Sequence, residues 1–465
     1  MNNFAVLLLL GFALPSHAAL RAGAAVEDIT PQEWPVRVIG GFTLVLATSA
    51  HDPLHTRALV LEDGGTRVAL AVVDSCYLKR ETMDRAKLLA EKRTGIPSHR
   101  ILISATHTHS APPSLPEPGN EREQRYTDRL ITQTAEAIFR ANQRLQPARA
   151  GYGSRPVPEE LFNRRWYMRP GSIPPNPYGE TTDIARMNPG AGSPDLVHPA
   201  GATDPEFSVL SIRTAAGKPL ALLANYSLHY VGGVPGNMLS ADYFGEFAKQ
   251  TAAKIAPGDP SFVAILSNGT SGDVNNTNFL HPRPRAQPFE RIREVAAKMA
   301  GHATEVAERM EYAGSLTIRM AERELPLQFR KPTSRQLDFS RSALAEPDEK
   351  KLPVRAKAYA ERAIQLHEGP ATANLKLQAL RLGGLGIAAI PCEVFTEIGL
   401  AIKELSPLRP TFTIELANGH YGYLPTPRHY SLGGYETWLG TNNLEPEASI
   451  KITRTILNLL AEVAR

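Results

Sequence analysis

The run Ile101–Ala105, ILISA, passes directly into Thr106-His107-Thr108-His109-Ser110, and this junction constrains the chain more than any other stretch. An uninterrupted apolar run of that length reads as a buried strand that empties into a polar pocket at its end. Strand side chains alternate faces, so His107 and His109 are expected to point the same way. A bare His-x-His pair fits two satisfied histidines on a polar loop as readily as two imidazoles sharing a pocket.

Two further strand ends alter that balance. The apolar run ALLANYSLHY carries His229 at its end, and LGIAAIP leads into Glu393 at the start of a helix pattern. If the three ends converge on one edge, they supply His, His and Glu, the ligand set of an open catalytic zinc site.

The surrounding chain can build such an edge. Ala58–Leu61 and Arg67–Val73 read as strands joined around Asp63-Gly64-Gly65, followed by a helix pattern over Thr82–Lys92 and the strand that carries His-Thr-His. Arg122–Arg144 is a long amphipathic helix with Tyr126, Leu130, Ile131, Ala135, Ile138 and Phe139 on one face. Strand patterns resume at Phe207–Thr214 and Leu220–Tyr226. Helix patterns at Phe244–Ile255 and Phe289–Met310 enclose the short strand FVAILS, and strands return at Leu375–Leu382 and Ile387–Ile390. The rhythm is α/β, and the expected architecture is a mixed central β-sheet flanked by helices. Between Pro170 and Pro205 the composition turns to Pro, Gly, Asn and Ser without periodicity, which reads as a surface excursion beside the pocket or a variable insertion. Residues 333–368 are charged and helical in pattern, as a linker or a peripheral helical hairpin.

With 465 residues and 42% hydrophobic content the chain can bury one large core or two moderate ones. Its formal charge of +4 is spread among interspersed Lys, Arg, Asp and Glu, which excludes a nucleic-acid footprint and leaves room for peripheral contact with a membrane surface. Residues 1–18 hold the apolar run AVLLLLGFAL before Ser16-His17-Ala18, the pattern of a cleaved signal peptide. The run is shorter than the ~20 residues a membrane-spanning helix needs. The expected product is exported, secreted or periplasmic, with residues 19–465 as one hydrolase domain. Cys76 and Cys392 are the only cysteines, and two buried thiols are expected in preference to a bridge.

Several motifs, in order, resemble the catalytic domain of the neutral/alkaline, non-lysosomal ceramidases, zinc amidases that cleave the N-acyl bond of ceramide. They are DITP at Asp28–Pro31, SATHTHSAP at Ser104–Pro112, NRRW at Asn163–Trp166 and the strand end at His229. SGDVNN at Ser271–Asn276, PCEVFTEIG at Pro391–Gly399, ANGHYGYLPTP at Ala417–Pro427 and the following GGYETW complete the set. The resemblance implies Zn²⁺ held by His107, His229, Glu393 and Tyr423, with metal-bound water attacking the carbonyl of a small-molecule or lipid N-acyl amide.

It also implies that His109 contacts substrate and protonates the leaving nitrogen, and that Arg164 and Tyr435 line the site, with Arg165 the neighbouring alternative to Arg164. Asn275 stands where these ceramidases carry a serine long considered the nucleophile, so it is expected to orient substrate or the oxyanion. Ser271 is too far along the loop to replace that serine, and Asp273 is expected to brace the loop. The relatives carry a further C-terminal β-sandwich domain; this chain is expected to lack it and to close with an amphipathic helix over Ala448–Arg465. Two other readings use the same scaffold: a metal enzyme acting on an acylated sugar or glycoconjugate, and an inactive lipid- or glycan-binding relative.

Overall fold

The computed structural model describes residues 19–465, and the stretch read as a signal peptide lies outside the described residues. Ile101–Ala105 is wholly buried at one edge of an eight-stranded mixed sheet. From the other edge the strands run Val263–Asn268, Pro219–Tyr226, Glu206–Thr214, Gln146–Pro156, Arg21–Asp28, His55–Asp63 and Thr66–Val73. The outermost pair at each edge is parallel and every other pairing is antiparallel.

Strand order alone leaves the two histidine-bearing strands far apart and running in opposite senses. A right-handed twist of about 20–25° per strand accumulates across the sheet and turns its far edges toward one another. The edge strand Val263–Asn268 accordingly contacts Ile101–Ala105 from the opposite edge. The exposed edge of Ile101–Ala105 is itself covered by the loop that follows Thr411–Ile414. Ala105 N–H donates to Leu416 O at 3.2 Å, and Asn418 N–H donates to Ile103 O at 2.9 Å.

The inner face of the large sheet packs on a second sheet, ordered Ile318–Gln328, Thr372–Leu382, Leu385–Ala389 and Thr411–Ile414. Leu59, Leu70, Leu210 and Ile265 from the first meet Ile318, Leu380, Ile387 and Phe412 from the second in one core. Helices cover the outer faces. Arg80–Thr94 and Glu121–Gln143 pack on one half of the large sheet, and Asp242–Ile255 and Glu290–Glu308 on the other. Thr396–Leu405 and Ala448–Ala464 cover the small sheet. Each helix presents an apolar stripe at helical spacing, as in Tyr126, Leu130, Ile131 and Ile138 of Glu121–Gln143, whose N-terminus is capped by the Asn120 side chain. The expected α/β class with a mixed sheet flanked by helices is borne out, with a second sheet as the inner layer.

Two expectations change, and of the two readings of residues 333–368 the helical hairpin holds. The Pro170–Pro205 excursion is not structureless: Ala185–Met187 and Leu196–Pro199 pair on either side of Arg165–Met168, which makes NRRW the centre of a small sheet. Residues 333–368 form a peripheral hairpin of helices Ser334–Ala345 and Ala356–Glu368, the first opened by a Thr333/Gln336 capping box. Glu393 does not start a helix. It lies in a two-residue strand, paired in parallel with Tyr423–Leu424, and the helix begins at Thr396. Both cysteines are buried free thiols, as expected.

Candidate active site

His107 and His109 do share a pocket, for a different reason than strand alternation. The strand ends at Ala105, and His107 takes a left-handed backbone conformation with φ 76°. Such a conformation is strained for a side chain with a Cβ and persists only where its surroundings enforce it. His107 N–H donates to Ser75 O at 2.8 Å, and the ring Nδ1 lies 2.7 Å from Cys76 O. Between them they turn the ring so that its Nε2 is 3.2 Å from that of His109. His109 stacks on Tyr230 at 3.8 Å between ring centroids, and Gly40 backs it so closely that a Cβ there would sit 2.7 Å from the ring.

His229 follows Pro219–Tyr226 and is 1% exposed. Its Nδ1 faces Ser271 O at 3.1 Å and Ser271 Oγ at 3.3 Å, and its Nε2 lies 2.9 Å from His107 Nε2. A carbonyl only accepts, so both Nδ1 atoms carry the proton, and in the neutral rings both Nε2 atoms are lone-pair acceptors facing each other. Glu393 adds a third acceptor. Its Oε2 is buried without a hydrogen-bond partner, 3.3 Å from His107 Nε2.

Burial alone would raise the pKa of Glu393, but His107 and His420 pull it well below the usual range, so it is ionised. Burial, reinforced by charge on His107, holds His229 and His109 well below the ordinary imidazole value, which favours neutral rings. Burial opposes it, but Cys76 and Glu393 hold His107 well above the ordinary imidazole value, so the two imidazole nitrogens and the carboxylate oxygen, all within 4.8 Å of one another, gather a cation, whether a proton on His107 or a metal ion. The donor set fits zinc. Tyr423 stands opposite, with the Arg164 guanidinium 5.3 Å from its ring centroid.

The adjacent arginines diverge. Arg164 Nη1 reaches within 3.1 Å of His229 Nε2, Nη2 donates to Gly272 O at 2.9 Å, and Nε donates to Glu436 Oε1 at 3.0 Å. Arg165 turns away. It donates to Glu436 Oε2 and to Gly433 O, both at 2.6 Å, and its guanidinium lies over Phe395. One buried carboxylate thus anchors both, and only Arg164 touches the histidines.

Two cavities meet at the cluster. One, of about 460 Å³, is walled by His107, His109, Glu393, Tyr423 and Tyr435. The other, of about 480 Å³, is walled by Arg164, His229, Tyr230, Asn188 and the run Asn275–Phe279. Asn275 belongs to the second, where its Nδ2 donates to Asn188 Oδ1 at 2.8 Å and its Oδ1 accepts from Thr277 N–H at 2.9 Å. Asp273 braces the loop, as expected, by accepting from Asn163 Nδ2 and from the backbone and hydroxyl of Thr396.

Two residues near the cluster carried no recognised signal in the sequence. His420 stacks on Tyr77 and places Nε2 3.2 Å from Glu393 Oε1. Its only signal was its place inside ANGHYGYLPTP. Glu415, 0% exposed, accepts from Ser271 and Val394, behind His229 and Glu393. A carboxylate at the end of the apolar run TFTI reads as a strand terminus.

No family model matches the chain. In sequence it is 23% identical over 317 residues to the neutral ceramidase of Pseudomonas aeruginosa, a match that covers 64% of this chain and 44% of that protein's length. In structure it resembles the crystal structure of the P. aeruginosa neutral ceramidase, with a TM-score of 0.72 and 19% identity, over 96% of this chain and 75% of that one. A ceramidase complexed with C2 matches with the same TM-score and coverage at 20% identity. The resemblance read from the motifs therefore holds at both levels: this chain is similar in sequence to neutral ceramidase and shares its fold.

Proposed function

We propose that the chain is an exported zinc-dependent hydrolase of ceramidase type, which adds water across an N-acyl amide bond to give a carboxylic acid and an amine. The observation that carries this reading is the convergence of His107 Nε2, His229 Nε2 and the orphaned Glu393 Oε2 beside Arg164. His107, His229, Glu393 and Tyr423 are the residues that would hold the metal. Zinc bound there supplies Lewis acidity and a nucleophile available at neutral pH.

The protein's own groups do the rest. The carbonyls of Cys76 and Ser271 fix the tautomers of the two histidines. Arg164, held on three sides, and Tyr435 on the cavity wall offer donors to the oxygen that gains charge when the carbonyl is attacked. His109 sits where its Nε2 can move a proton to the leaving nitrogen, which amide cleavage requires. Asn275 has an amide in place of a hydroxyl and cannot form an acyl-enzyme. Its role is to shape the second cavity and present its remaining N–H.

The likeness to ceramidases favours a ceramide-like lipid amide as the substrate class, and peripheral contact with a membrane surface would follow from it. Among the described residues no helix is long and apolar enough to cross a membrane. One observation favours a more polar N-acylated compound, such as an acylated sugar or glycoconjugate: the second cavity is lined by Asn188, Asn275, Asn276, Thr277 and Asn278. The test measures metal by elemental analysis and hydrolysis of a fluorogenic N-acyl sphingosine on wild type and His107→Ala together. About one zinc per chain with activity, both lost in the variant, supports the reading. Zinc without activity moves the search to polar amides, and a wild type without zinc overturns the metal site.

A further inference from the structure

We infer that Glu415 is a positioning residue that locks the His229 and Glu393 segments into one metal-ready unit; the inference rests on the metal reading of that site. Glu415 follows the strand Thr411–Ile414 and is completely buried. Among the described residues it forms no ion pair, so its carboxylate is held by hydrogen bonds alone. Oε1 accepts from Ser271 Oγ at 2.6 Å and from Asn268 Nδ2 at 2.9 Å. Oε2 accepts from Val394 N–H at 2.6 Å and from Ser271 N–H at 3.3 Å. Burial pushes the Glu415 carboxyl up to about 8 although charge on His107 and the bonds from Ser271 and Val394 pull the other way, and the four donors aimed at it are what make so polar a group tolerable there.

The consequence lies in what those donors belong to. Ser271 is the residue whose carbonyl and hydroxyl face His229 Nδ1. With the hydroxyl proton given to Glu415, the lone pairs of Ser271 Oγ are left for that Nδ1–H. A hydrogen-bonded chain then runs from the His229 ring through Ser271 to Glu415, and it fixes the direction in which His229 Nε2 points. The other arm reaches Val394, the residue after Glu393, so the same side chain sets the backbone that carries the carboxylate ligand. No side chain can come between the two segments. Gly272 N–H donates to Val394 O at 2.8 Å, and a Cβ on Gly272 would lie 2.7 Å from Glu393 O. Glu415 couples the ligands from behind because there is no room to couple them directly.

The test compares zinc affinity, by competition with a fluorescent chelator, in wild type, Glu415→Gln, Ser271→Ala and the double variant. The absorption spectra of the cobalt-substituted proteins are read alongside. Glu415→Gln keeps the shape but aims an NH₂ at groups that donate. It is expected to weaken zinc binding by about 10–100-fold, the usual effect of losing a residue that orients a ligand. Ser271→Ala is expected to weaken it less, and the double variant no more than Glu415→Gln alone, because both act through one chain. The cobalt spectrum should change in each. A folded Glu415→Gln protein that binds zinc as wild type does overturns the inference. If that variant does not fold, a folded Ser271→Ala protein with wild-type zinc affinity and cobalt spectrum overturns it instead. A wild type that binds no zinc overturns the metal reading itself and this inference with it.

Discussion

The cavity walled by His107, His109 and Glu393 and the cavity walled by Arg164 and Asn275 have nearly the same volume, about 460 and 480 Å³, but use their polar groups differently. In the first, backbone carbonyls hold the rear nitrogens, and the front atoms, two imidazole nitrogens and Glu393 Oε2, converge on one point, with Arg164 Nη1 3.1 Å from His229 Nε2 and Glu393 Oε2 left without a hydrogen-bond partner. In the second, polar groups satisfy one another. Asn275 bonds Asn188 and Thr277, Asn276 donates to Glu160, and Arg283 and Arg291 close on the same Glu160. A buried acceptor without a donor is costly, so a fold that concentrates several at one point is built for a ligand that completes them. A satisfied polar wall instead supplies shape and a few spare donors, which suits recognition.

The contrast is most exposed to a change at the cluster. His107→Ala should remove the metal and lower hydrolysis by at least about 1000-fold, since several kcal/mol of transition-state stabilisation go with it. Comparable zinc content in the variant and wild type would break the distinction between the cavities at its root. The next effect separates neighbours. Arg164→Lys should lower kcat/KM by about 100-fold, the loss of an oriented donor, with only a modest fall in Tm. Arg165→Met should instead lower unfolding free energy by about 3 kcal/mol, because it strips a fully buried partner from Glu436. If the two profiles are interchanged in steady-state kinetics and urea unfolding, Arg165 is the residue that serves the reaction.

That division of labour is not visible in NRRW, where the arginines are adjacent and chemically alike. Which one reaches the site depends on Arg165–Met168 becoming the middle strand of a small sheet whose partners lie in a Pro- and Gly-rich stretch with no strand periodicity. Local pattern did locate the strands and helices that carry the site, because Ile101–Ala105, Pro219–Tyr226 and Glu121–Gln143 bury continuous or stripe-like apolar surfaces. It missed Gln146–Pro156, whose glycines look like breakers. Gly151 and Gly153 are there because a Cβ would meet Glu311 O at 2.7 Å and Val306 Cγ1 at 2.9 Å. It missed Ile318–Gln328 as well, since that outer strand shows charged residues to solvent. The juxtaposition of His107 and His229 was legible only as a hypothesis. It depends on sheet twist summed over many strands and on a left-handed residue at the end of one of them.

A smaller effect sharpens the recognition side. Asn275→Ser exchanges an amide held at both ends for a hydroxyl that reaches neither Asn188 nor the same space. If the second cavity recognises and does not react, the change should shift kcat/KM about fivefold, the ~1 kcal/mol of one neutral hydrogen bond, mostly through KM. Turnover that instead became roughly a hundredfold faster would place a nucleophile at this position and dissolve the distinction between the cavities.

A last effect, read in stability and not in turnover, tests whether the first cavity leans on a satisfied polar network of its own. Lys87 is fully buried on Arg80–Thr94. Its Nζ donates to Asn418 Oδ1 at 2.6 Å, and the nearest carboxylate, Glu322, is 4.0 Å away. Asn418 in turn donates to Gln378 at 2.9 Å and opens the loop that delivers His420 and Tyr423 to the first cavity. Burial, opposed only in part by Glu322, lowers the Lys87 pKa from the ordinary 10.5 to about 7. Below about pH 7 both the folded and unfolded chains carry this charge, and the cost of burying it is present in full. Between there and 10.5 the unfolded chain holds the additional proton, so wild-type stability should climb with pH relative to Lys87→Met, which has nothing to titrate. Urea unfolding of both proteins at about pH 7 and about pH 9.5 reads the difference, with titrations elsewhere cancelling between them. A stability gap that does not move with pH would mean that Lys87 stays charged across the range, and that the loop beneath His420 is held by an ion pair with Glu322, not by a neutral hydrogen bond.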